Sequence, residues 1–469
     1  MPARYAVVMA AAAIGLVACS GPSRDVAVVH GPATSAVVTT KDVLTSIGPS
    51  IAYVETPLAT GSAVLVDGGY LVTNSHVVDP FAAVTVTLPD GERHDDVPVA
   101  GSDVFADIAV LGPIATDHPA QRLATHPQLA QGDDVYLIGY PGGESAVPPE
   151  VTISRGVLSR VRTVDEFHQT YYQTDAAIGG GQSGGALIDS HGQVVGISGL
   201  LFADEFALAL SSDDVAAAMA GIRDHSAIAY HPLPSGPDAT SGTAHLAPSD
   251  FGTTLLIPPD TTDRTIDLTL PEPARPIIDA ETFFGDVLLV NQAAIDVFNA
   301  TAAAGNPAAA PVDLTASPPV APDTWHFAVP AHQWVLVRLG TAGAQPVDVP
   351  FTSTIPVRTY VDSDDHKPIN VGDRVVGTID SLEGADIYDI NLAAGQTITI
   401  TATSPQGDVF FGVVAPGQRL VDGAYTDDSG LGLFGTDARG PYTAPTTGTY
   451  EIVVGVNDYV ATGYALTVR

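Results

Sequence analysis

The chain has 469 residues, 45% of them hydrophobic, which is typical of about three domains with sizeable cores. Its 53 acidic residues against 18 basic ones give a formal net charge of −35 at pH 7. Such a surface repels nucleic acid and anionic lipid, so we exclude both as electrostatic partners and expect a soluble globular protein.

The N-terminus predicts export. Met1–Ser20 carries one positive charge, at Arg4, followed by an apolar run, which is the pattern of a secretory signal and too short for a membrane span. Its end, Leu16–Cys19, resembles the bacterial lipobox, in which the cysteine is lipidated and becomes the new N-terminus. Cys19 is the only cysteine of the chain, which fits a lipid-bearing residue and excludes an internal disulfide. An ordinary cleaved signal is the alternative.

These features place a signal peptide at residues 1–18 and a lipidated N-terminus with a tether at residues 19–40. The tether is small, polar and interrupted by Pro and Gly, so we expect it to be flexible. The predicted location is extracytoplasmic, at the bacterial cell surface or in the periplasm, with the lipid in a membrane. Secretion without an anchor is the alternative.

Two strand-like runs precede His76. Ser62–Asp67 and Tyr70–Thr73 are joined by two glycines and predict a hairpin. His76 then lies just past a paired strand, on a rigid support that suits a general base. Further along, Asp107 opens an apolar strand, where a buried carboxylate needs a partner such as the His76 ring.

Ser183 lies in the glycine-rich turn of Gln173–Leu187, after the strand-like run Tyr171–Ala176. A serine hydroxyl becomes a useful nucleophile when a base takes its proton and fixed donors receive the developing negative charge. The flanking glycines let the main chain bend so that the amides of Gly181 and Ser183 point at one oxygen. The order His, Asp, Ser is one of the known orders of this catalytic triad.

The three segments resemble the trypsin-like serine peptidases, and most closely the HtrA (Deg) type of bacterial protease. The motifs that carry the likeness are TNSHVV at Thr73–Val78, DIAVL at Asp107–Leu111, and QTDAAI with GQSGG at Gln173–Gly185. The resemblance runs over roughly Val43–Asp224 and implies a chymotrypsin-like double β-barrel with a terminal helix.

By this resemblance His76 is the general base, Asp107 orients it, and Ser183 is the nucleophile. The amides of Gly181 and Ser183 are the implied oxyanion hole. The chain departs from the family at Gly179–Gly180, where Asn-Pro is usual, so we expect a more mobile oxyanion loop. It also has Gln182 where the family has Asn, and no PDZ pattern follows the protease segment, so peptide-gated regulation is not carried over.

The resemblance also locates the primary specificity pocket. Its floor falls at Ala177 and Ile178, and one wall, to which Ile197 belongs, runs along Val195–Gly199. A trypsin-type pocket needs a carboxylate at the floor, and the nearby acid, Asp175, resembles a structural position. We therefore expect a small or medium apolar side chain before the scissile bond.

Beyond the protease segment, Ser212–His225 predicts a helix capped by Ser212, with acidic residues in its first turn. Tyr230–Ser249 is rich in Pro, Gly, Ser and Thr and predicts an interdomain linker. We therefore place the protease domain at residues 41–229 and the linker at 230–249.

Residues 250–362 predict a β-rich domain, a sandwich without recognisable chemistry and of unknown role. Its short strand-like runs are Thr253–Ile257, Thr265–Leu270, Asp286–Val290, Trp325–Val329 and Trp334–Leu339. The predicted fold class of the chain is thus mainly β, with a chymotrypsin-like double β-barrel followed by one or two β-sandwich domains.

Residues 363–469 predict a further sandwich, from alternation such as that of Asp386–Leu392 and turns at sandwich spacing. The segment resembles the bacterial pre-peptidase C-terminal (PPC) domain, through GTI at Gly377–Ile379 and GTY at Gly448–Tyr450. We expect Tyr388 and Tyr450 in the core rather than on a ligand platform.

No cofactor and no metal is predicted. The acidic groups at Asp362–Asp365 and Asp427–Asp428 lack the spacing of a calcium loop such as the EF-hand. The expected partner is a protein or peptide substrate, membrane contact is through the N-terminal lipid only, and the oligomeric state is left open.

The sequence therefore predicts an exported, lipid-anchored serine endopeptidase that cuts peptide bonds through an acyl-enzyme. Two alternatives stay open. One is a catalytically silent protease-fold lipoprotein used in binding or adhesion. The other is a structural envelope lipoprotein whose β-domains hold polysaccharide.

Overall fold

A computed structural model of the protein describes residues 39–57, 59–141, 150–202, 206–230, 233, 238–247, 252–271, 276–282, 285–286, 290–291, 323–331, 334–341, 346–361, 365–379, 382, 385–418, 423–427, 429, 437–457 and 462–469. These residues all belong to one compact unit. The predicted signal peptide, the lipidation site Cys19 and nearly all of the tether lie outside them. Within these ranges, no helix is both long enough and apolar enough to span a membrane.

Six antiparallel strands close the first barrel in the order β1-β2-β3-β6-β5-β4. They are β1 (Ile51–Glu55), β2 (Thr60–Val66), β3 (Tyr70–Thr73), β4 (Ala83–Thr87), β5 (Arg93–Asp103) and β6 (Ile108–Leu111). Helix α1 (Thr40–Ile47) precedes the barrel, and the single turn α2 (Ser75–Val78) follows β3. The predicted hairpin is confirmed, because β2 pairs with β3 and Gly68 and Gly69 turn the chain at φ 85° and 78°.

The second barrel closes in the order β10-β11-β12-β9-β8-β7. Its strands are β7 (Asp134–Gly139), β8 (Thr152–Val164), β9 (Gln169–Thr174), β10 (Ala186–Asp189), β11 (Val194–Phe202) and β12 (Phe206–Ser211). One buried cluster joins Val64 and Val72 of the first barrel to Ile138 and Leu208 of the second. The barrels therefore share a core, and loops from both can meet in one site.

Helix α3 (Ser212–Arg223) follows the second barrel and confirms the predicted helix. Its N-cap corrects the expected one: Ser211, not Ser212, accepts the hydrogen bond from the Asp214 amide at 3.2 Å. Ser212 instead donates its hydroxyl to the carbonyl of Ala124 at 2.8 Å. Two adjacent serines offer the same capping chemistry, and the end of β12 decides which of them has the extended backbone of a cap.

A nine-stranded sheet follows the protease domain. Its strands are β13 (Ala239–Leu246), β14 (Thr253–Ile257), β15 (Arg264–Leu270), β16 (Pro276–Thr282), β17 (Gly285–Asp286), β18 (Val290–Asn291), β19 (Asp323–Val329), β20 (Val335–Thr341) and β21 (Val347–Tyr360). The long β21 pairs with β13 and β15 over its first part and with β14 near its end. One strand thus passes between two halves of the sheet, which enclose a common core.

Strand β13 corrects the interpretation of residues 230–249 as an interdomain linker. Its backbone pairs with β21 from Leu246 opposite Val347 to Ala239 opposite Val357. The side chains of its first five residues are exposed, whereas Ala244 and Leu246 are buried. The polar composition of residues 230–249 therefore did not indicate a strand, because main-chain pairing rather than side-chain burial holds the first part of β13 in the sheet.

The C-terminal domain consists of a five-stranded and a four-stranded sheet, in the orders β22-β24-β29-β26-β27 and β23-β30-β25-β28. Its strands are β22 (Lys367–Ile369), β23 (Arg374–Ile379), β24 (Ala385–Leu392), β25 (Thr397–Thr403), β26 (Val409–Val414), β27 (Ala424–Thr426), β28 (Ala438–Thr443), β29 (Gly448–Val456) and β30 (Thr462–Val468). Side chains of both sheets form one core. Tyr388 and Tyr450 are buried in it, as predicted.

Candidate active site

Strand pairing in the first barrel brings His76 and Asp107 together. Strands β3 and β6 are antiparallel, with Thr73 opposite Ala109. Residues that follow β3 therefore lie beside residues that precede β6. His76 on α2 and Asp107 at the start of β6 occupy these two places, and His76 Nδ1 lies 2.7 Å from Asp107 Oδ2.

The buried carboxylate of Asp107 is hydrogen-bonded at both oxygens. Oδ2 accepts from the ring of His76, while Oδ1 accepts from the His76 amide at 3.0 Å and from the Ser75 hydroxyl at 2.9 Å. The side chain of Asn74 donates to the Asp107 carbonyl at 2.8 Å. This arrangement keeps the proton of His76 on Nδ1, so that Nε2 is free to accept one.

The environment of His76 sets its proton affinity. Burial lowers the pKa of the imidazole, and the charge and hydrogen bond of Asp107 raise it by more, so the net pKa lies above its usual value. The side chain is 29% exposed. The ring is therefore partly accessible from outside, and the imidazole is a stronger base than a free histidine.

The turn that carries Ser183 is fastened to the first barrel through Ser62. The Ser62 amide donates to the Ser183 carbonyl at 2.7 Å, and the Ser62 hydroxyl donates to the Gly181 carbonyl at 3.0 Å. That hydroxyl also accepts from the Tyr140 amide at 2.8 Å. Ser62 thus links strand β2 to the serine turn across the interface between the barrels.

Two amides of the turn are available to a ligand. Within the described part of the chain, the N–H groups of Gly181 and Ser183 donate no hydrogen bond. Gly181 has a φ of 86°, which glycine adopts without strain. Free amides in a glycine turn are the groups that form an oxyanion hole.

Gln182 stabilises this turn at the position where the sequence predicted mobility. Its Oε1 accepts from the Gly179 amide at 2.6 Å, and its Nε2 donates to the Thr152 hydroxyl at 3.0 Å. Its carbonyl accepts from the Ser198 hydroxyl at 2.9 Å. A longer side chain than the usual asparagine therefore spans the loop and reaches β8.

The hydroxyl of Ser183 is directed to a backbone carbonyl of the second barrel. Its hydrogen bond goes to the carbonyl of Gly199 at 3.5 Å, and no hydrogen bond to His76 is formed in the described structure. The distance is long for such a bond, so the hydroxyl is weakly held. Catalytic hydrogen bonds are often loose before substrate binds, and rotation about one side-chain bond redirects the oxygen.

The residues predicted to form the specificity pocket lie in different surroundings. Ile197 is almost fully buried in the core shared by the barrels, which corrects its assignment to the pocket wall. Ile178 is half-buried against the core of the second barrel, and Ala177 is exposed. Asp175 accepts a hydrogen bond from the Val157 amide at 2.7 Å, which fits its predicted structural position.

Three residues that support this site were missed by sequence reasoning: Ser62, Asn74 and Ser75. Each acts through one hydroxyl or amide group whose partner lies on another strand or loop. Asn74 and Ser75 fall inside the TNSHVV motif, which is the signal that could have found them.

Two groups of described side chains have ligand atoms close enough for a metal ion: Asp90, Glu92 and His118, and His366, Asp389 and Glu451. In the first, His118 Nε2 lies 3.1 Å from Asp90 Oδ2, and Nδ1 donates to the Pro49 carbonyl at 2.8 Å. Histidine–carboxylate ion pairing accounts for this contact. Asp362, Asp364 and Asp428 lie outside the described residues.

Two six-stranded barrels with a shared core, a His–Asp pair on the first and a serine turn on the second define the chymotrypsin-like class of fold. Residues 61–197 match the trypsin-like peptidase domain family, and residues 384–455 match the bacterial pre-peptidase C-terminal domain family. The chain therefore carries a trypsin-like peptidase domain, which is similar to that of HtrA-type proteases, together with a PPC domain.

Known proteases resemble the peptidase domain. Periplasmic serine endoprotease DegP of Salmonella typhimurium is 36% identical over 157 residues, which are 32% of this chain and 31% of that protein. Serine protease Do-like HtrB of Bacillus subtilis is 35% identical over 163 residues, 32% and 34% of the two chains. A structure of the HtrA-type protease AlgW with a tripeptide covers 41% of this chain and 65% of its own, with 29% identity and a TM-score of 0.37. The chain thus spans about a third of the length of these two curated relatives.

Proposed function

We propose that the protein is an exported serine endopeptidase that hydrolyses peptide bonds through an acyl-enzyme. His76 is the general base, Asp107 orients it, and Ser183 is the nucleophile. The amides of Gly181 and Ser183 form the oxyanion hole. The observation that carries the proposal is the contact of 2.7 Å between His76 Nδ1 and Asp107 Oδ2, in a fold that fastens the Ser183 turn to the same barrel.

The proposed reaction has two halves. When substrate binds, the Ser183 hydroxyl turns from Gly199 toward His76, whose Nε2 takes the proton as Oγ attacks the scissile carbonyl. The oxyanion is stabilised by the two free amides, and the imidazolium by the Asp107 carboxylate. His76 then protonates the leaving amine, and the same groups activate water to release the acid product.

We further propose a small or medium apolar residue before the scissile bond. The support is the engagement of Asp175 with the Val157 amide, which leaves this acid in a structural role rather than at a pocket floor. We propose that Ala177 and Ile178 form the floor of the specificity pocket. Peptide phosphonates with alanine or arginine at this position test it, and faster inactivation by the arginine compound would contradict it.

We propose that Cys19 anchors the protein to a membrane through lipid, in an extracytoplasmic compartment. The proteins of similar sequence include one named a periplasmic endoprotease, and the lipobox-like Leu16–Cys19 supplies the anchor. Cys19→Ser is expected to move the protein from the membrane fraction to the soluble fraction of expressing cells, because a diacylated cysteine holds a protein stably and its loss leaves no lipid. An unchanged membrane fraction would contradict the anchor.

A fluorophosphonate probe tests the catalytic proposal directly. Full-length protein is expected to be labelled at one residue, identified as Ser183 by peptide mass spectrometry, because only an activated serine reacts quickly. Ser183→Ala and His76→Ala are expected to abolish labelling. An unlabelled wild-type protein would favour the silent, binding lipoprotein, in which the Ser183 hydroxyl keeps its contact with Gly199.

The same assay has a pH dependence of known sign. The base must be neutral, so the labelling rate is low below the pKa of His76 and rises as pH increases through it. Because the Asp107 carboxylate raises that pKa above the usual value, the acid limb is expected at higher pH than for a free histidine. An acid limb below that of a free histidine would argue against the His76–Asp107 pairing in solution.

A further inference from the structure

The C-terminal domain contacts the loop that leads into Asp107. Between β5 and β6 this loop places Phe105 two residues before the carboxylate. The Asp103 side chain folds the loop by accepting from the amides of Phe105 and Ala106 at 3.1 and 3.2 Å. Phe105 is thereby presented outward from the protease domain, toward the C-terminal sandwich.

Gln406 of the sandwich holds the main chain of this loop. Its Nε2 donates to the Phe105 carbonyl at 3.0 Å and lies 3.3 Å from the Tyr171 hydroxyl. Gln169 donates to the same carbonyl at 2.5 Å and accepts from Tyr171 at 3.1 Å. Burial raises the pKa of Tyr171, so the phenol keeps the proton that it donates. Gln406 is thus one member of a closed, buried network.

The ring of Phe105 is held as well. It packs on the ring of Phe167 at 5.4 Å between centroids and against the backbone of Gly463 on β30. A Cβ at Gly463 would lie 2.9 Å from three atoms of the Phe105 ring, closer than side chains pack. At the rim, Arg374 of the sandwich pairs with Glu166 at 3.3 Å.

Gln406 also reaches the space behind the triad. A cavity of about 10 Å³ is lined by Asn74, Asp107, Tyr171, Gly199 and Gln406, among others. Asp107 itself has a φ of 51°, which costs an aspartate energy and must be maintained by its neighbours. The groups that maintain this backbone therefore affect where the carboxylate points.

We infer that the C-terminal sandwich is a fixed part of the catalytic unit. In it, Gln406 is a positioning residue for Asp107, and Gly463 leaves the space in which the ring of Phe105 packs. The role rests on the proposed function of the triad. Gln406 touches no reacting atom and acts through the Phe105 carbonyl and the loop that ends at Asp107. The sandwich thus contributes Gln406 to the lining of the cavity behind Asp107 and covers the ring of Phe105.

The test is the pKa of the His76 ring in the full-length protein, measured by NMR titration with histidine labelling and assigned with His76→Asn. Gln406→Met keeps the length of the side chain and removes the Nε2 group, and with it the hydrogen bonds to the Phe105 carbonyl and the Tyr171 hydroxyl. We expect the pKa of His76 to fall, because a displaced Asp107 stabilises the imidazolium less while burial persists. The labelling rate with fluorophosphonate is expected to fall about tenfold, as for a small misplacement of catalytic groups. Gly463→Ala is expected to act in the same direction.

Matched controls come from the same sandwich. Gln418 is exposed, and among the described residues its side chain accepts from the Ala415 amide at 3.0 Å, so Gln418→Met removes a glutamine without touching Phe105. Gly440→Ala adds a methyl group that meets Thr426 of the sandwich at 3.2 Å. Both are expected to keep the wild-type pKa of His76.

A wild-type pKa of His76 in Gln406→Met overturns the positioning role, whatever the labelling rate. The same holds if the controls lower it equally, because the effect is then general to the sandwich. The pKa is read without any turnover, so the comparison also decides the role if wild-type protein is not labelled. That last result counts against the proposed function alone. If Gly463→Ala does not fold, the pKa of His76 in Gln406→Met alone tests the positioning role.

Discussion

Asp107→Asn is expected to lower kcat/KM about 10⁴-fold while leaving the fold intact. The reason lies in the two oxygens of the carboxylate. Oδ1 accepts from the His76 amide and the Ser75 hydroxyl, so the amide oxygen of an asparagine is held at that place. Its NH2 group then faces His76 Nδ1.

An NH2 group at that position is a donor, so it forces Nδ1 to become an acceptor. The ring proton then moves to Nε2, and the nitrogen that should receive the serine proton is already protonated. Burial changes little, because the asparagine has nearly the same shape. The loss is therefore expected in kcat rather than in KM.

Steady-state kinetics on a peptide substrate, with thermal unfolding in parallel, checks this prediction. Asp175→Asn is the matched control: that carboxylate also accepts from a backbone amide, of Val157, and it does not touch His76. A loss of less than about tenfold in Asp107→Asn would show that His76 is oriented by other groups.

The elements that carry His76, Asp107 and Ser183 could be predicted from the sequence. In each of them a few consecutive residues must both form a particular backbone structure and present the side chain, so the pattern is local. The hairpin before His76, the strand after Asp107 and the glycine turn of Ser183 each have a local pattern. The TNSHVV and GQSGG segments also showed that the histidine precedes the serine along the chain, as in a known order of the triad. Helix α3 was predicted with its cap one residue late, since Ser211 and Ser212 are chemically equal candidates.

Contacts between segments distant in sequence could not be predicted. Gln406 and Phe105 are 301 residues apart, and neither has a local pattern that points to the other. Ile197 was assigned to the pocket because the resemblance places one wall along Val195–Gly199, but packing between the barrels buries its side chain in their shared core. Strand β13 was missed because its exposed half has the composition of a linker.

The later domains contact the protease domain at two loops that adjoin His76 and Asp107. Phe105 precedes Asp107 and meets Gly463 and Gln406 of the C-terminal sandwich. Phe81, which follows the helix of His76, packs on Trp334, directly before β20, with 6.1 Å between ring centroids. The loops next to His76 and Asp107, the proposed base and its orienting acid, are thus each supported from outside the barrels.

Gly184→Ala is expected to lower the stability of the protease domain by about 3 kcal/mol and its activity by at least about 100-fold. Gly184 has a φ of 84°, which strains any residue with a Cβ. A Cβ there would overlap the carbonyl oxygen of Ser62 and the hydroxyl of Thr73. These two groups are hydrogen-bonded to each other at 2.7 Å, so neither can move alone.

The turn must therefore retreat from the first barrel, and the contact between the Ser62 amide and the Ser183 carbonyl is lost with it. Calorimetry should show a thermal midpoint about 6–12 °C lower for this domain. Gly180→Ala is the matched control, since this glycine lies in the same turn and a Cβ on it meets no atom within 4 Å. It is expected to keep wild-type stability. If both variants lose activity equally without a change in midpoint, the turn depends on glycine for its mobility rather than for its close approach to Ser62.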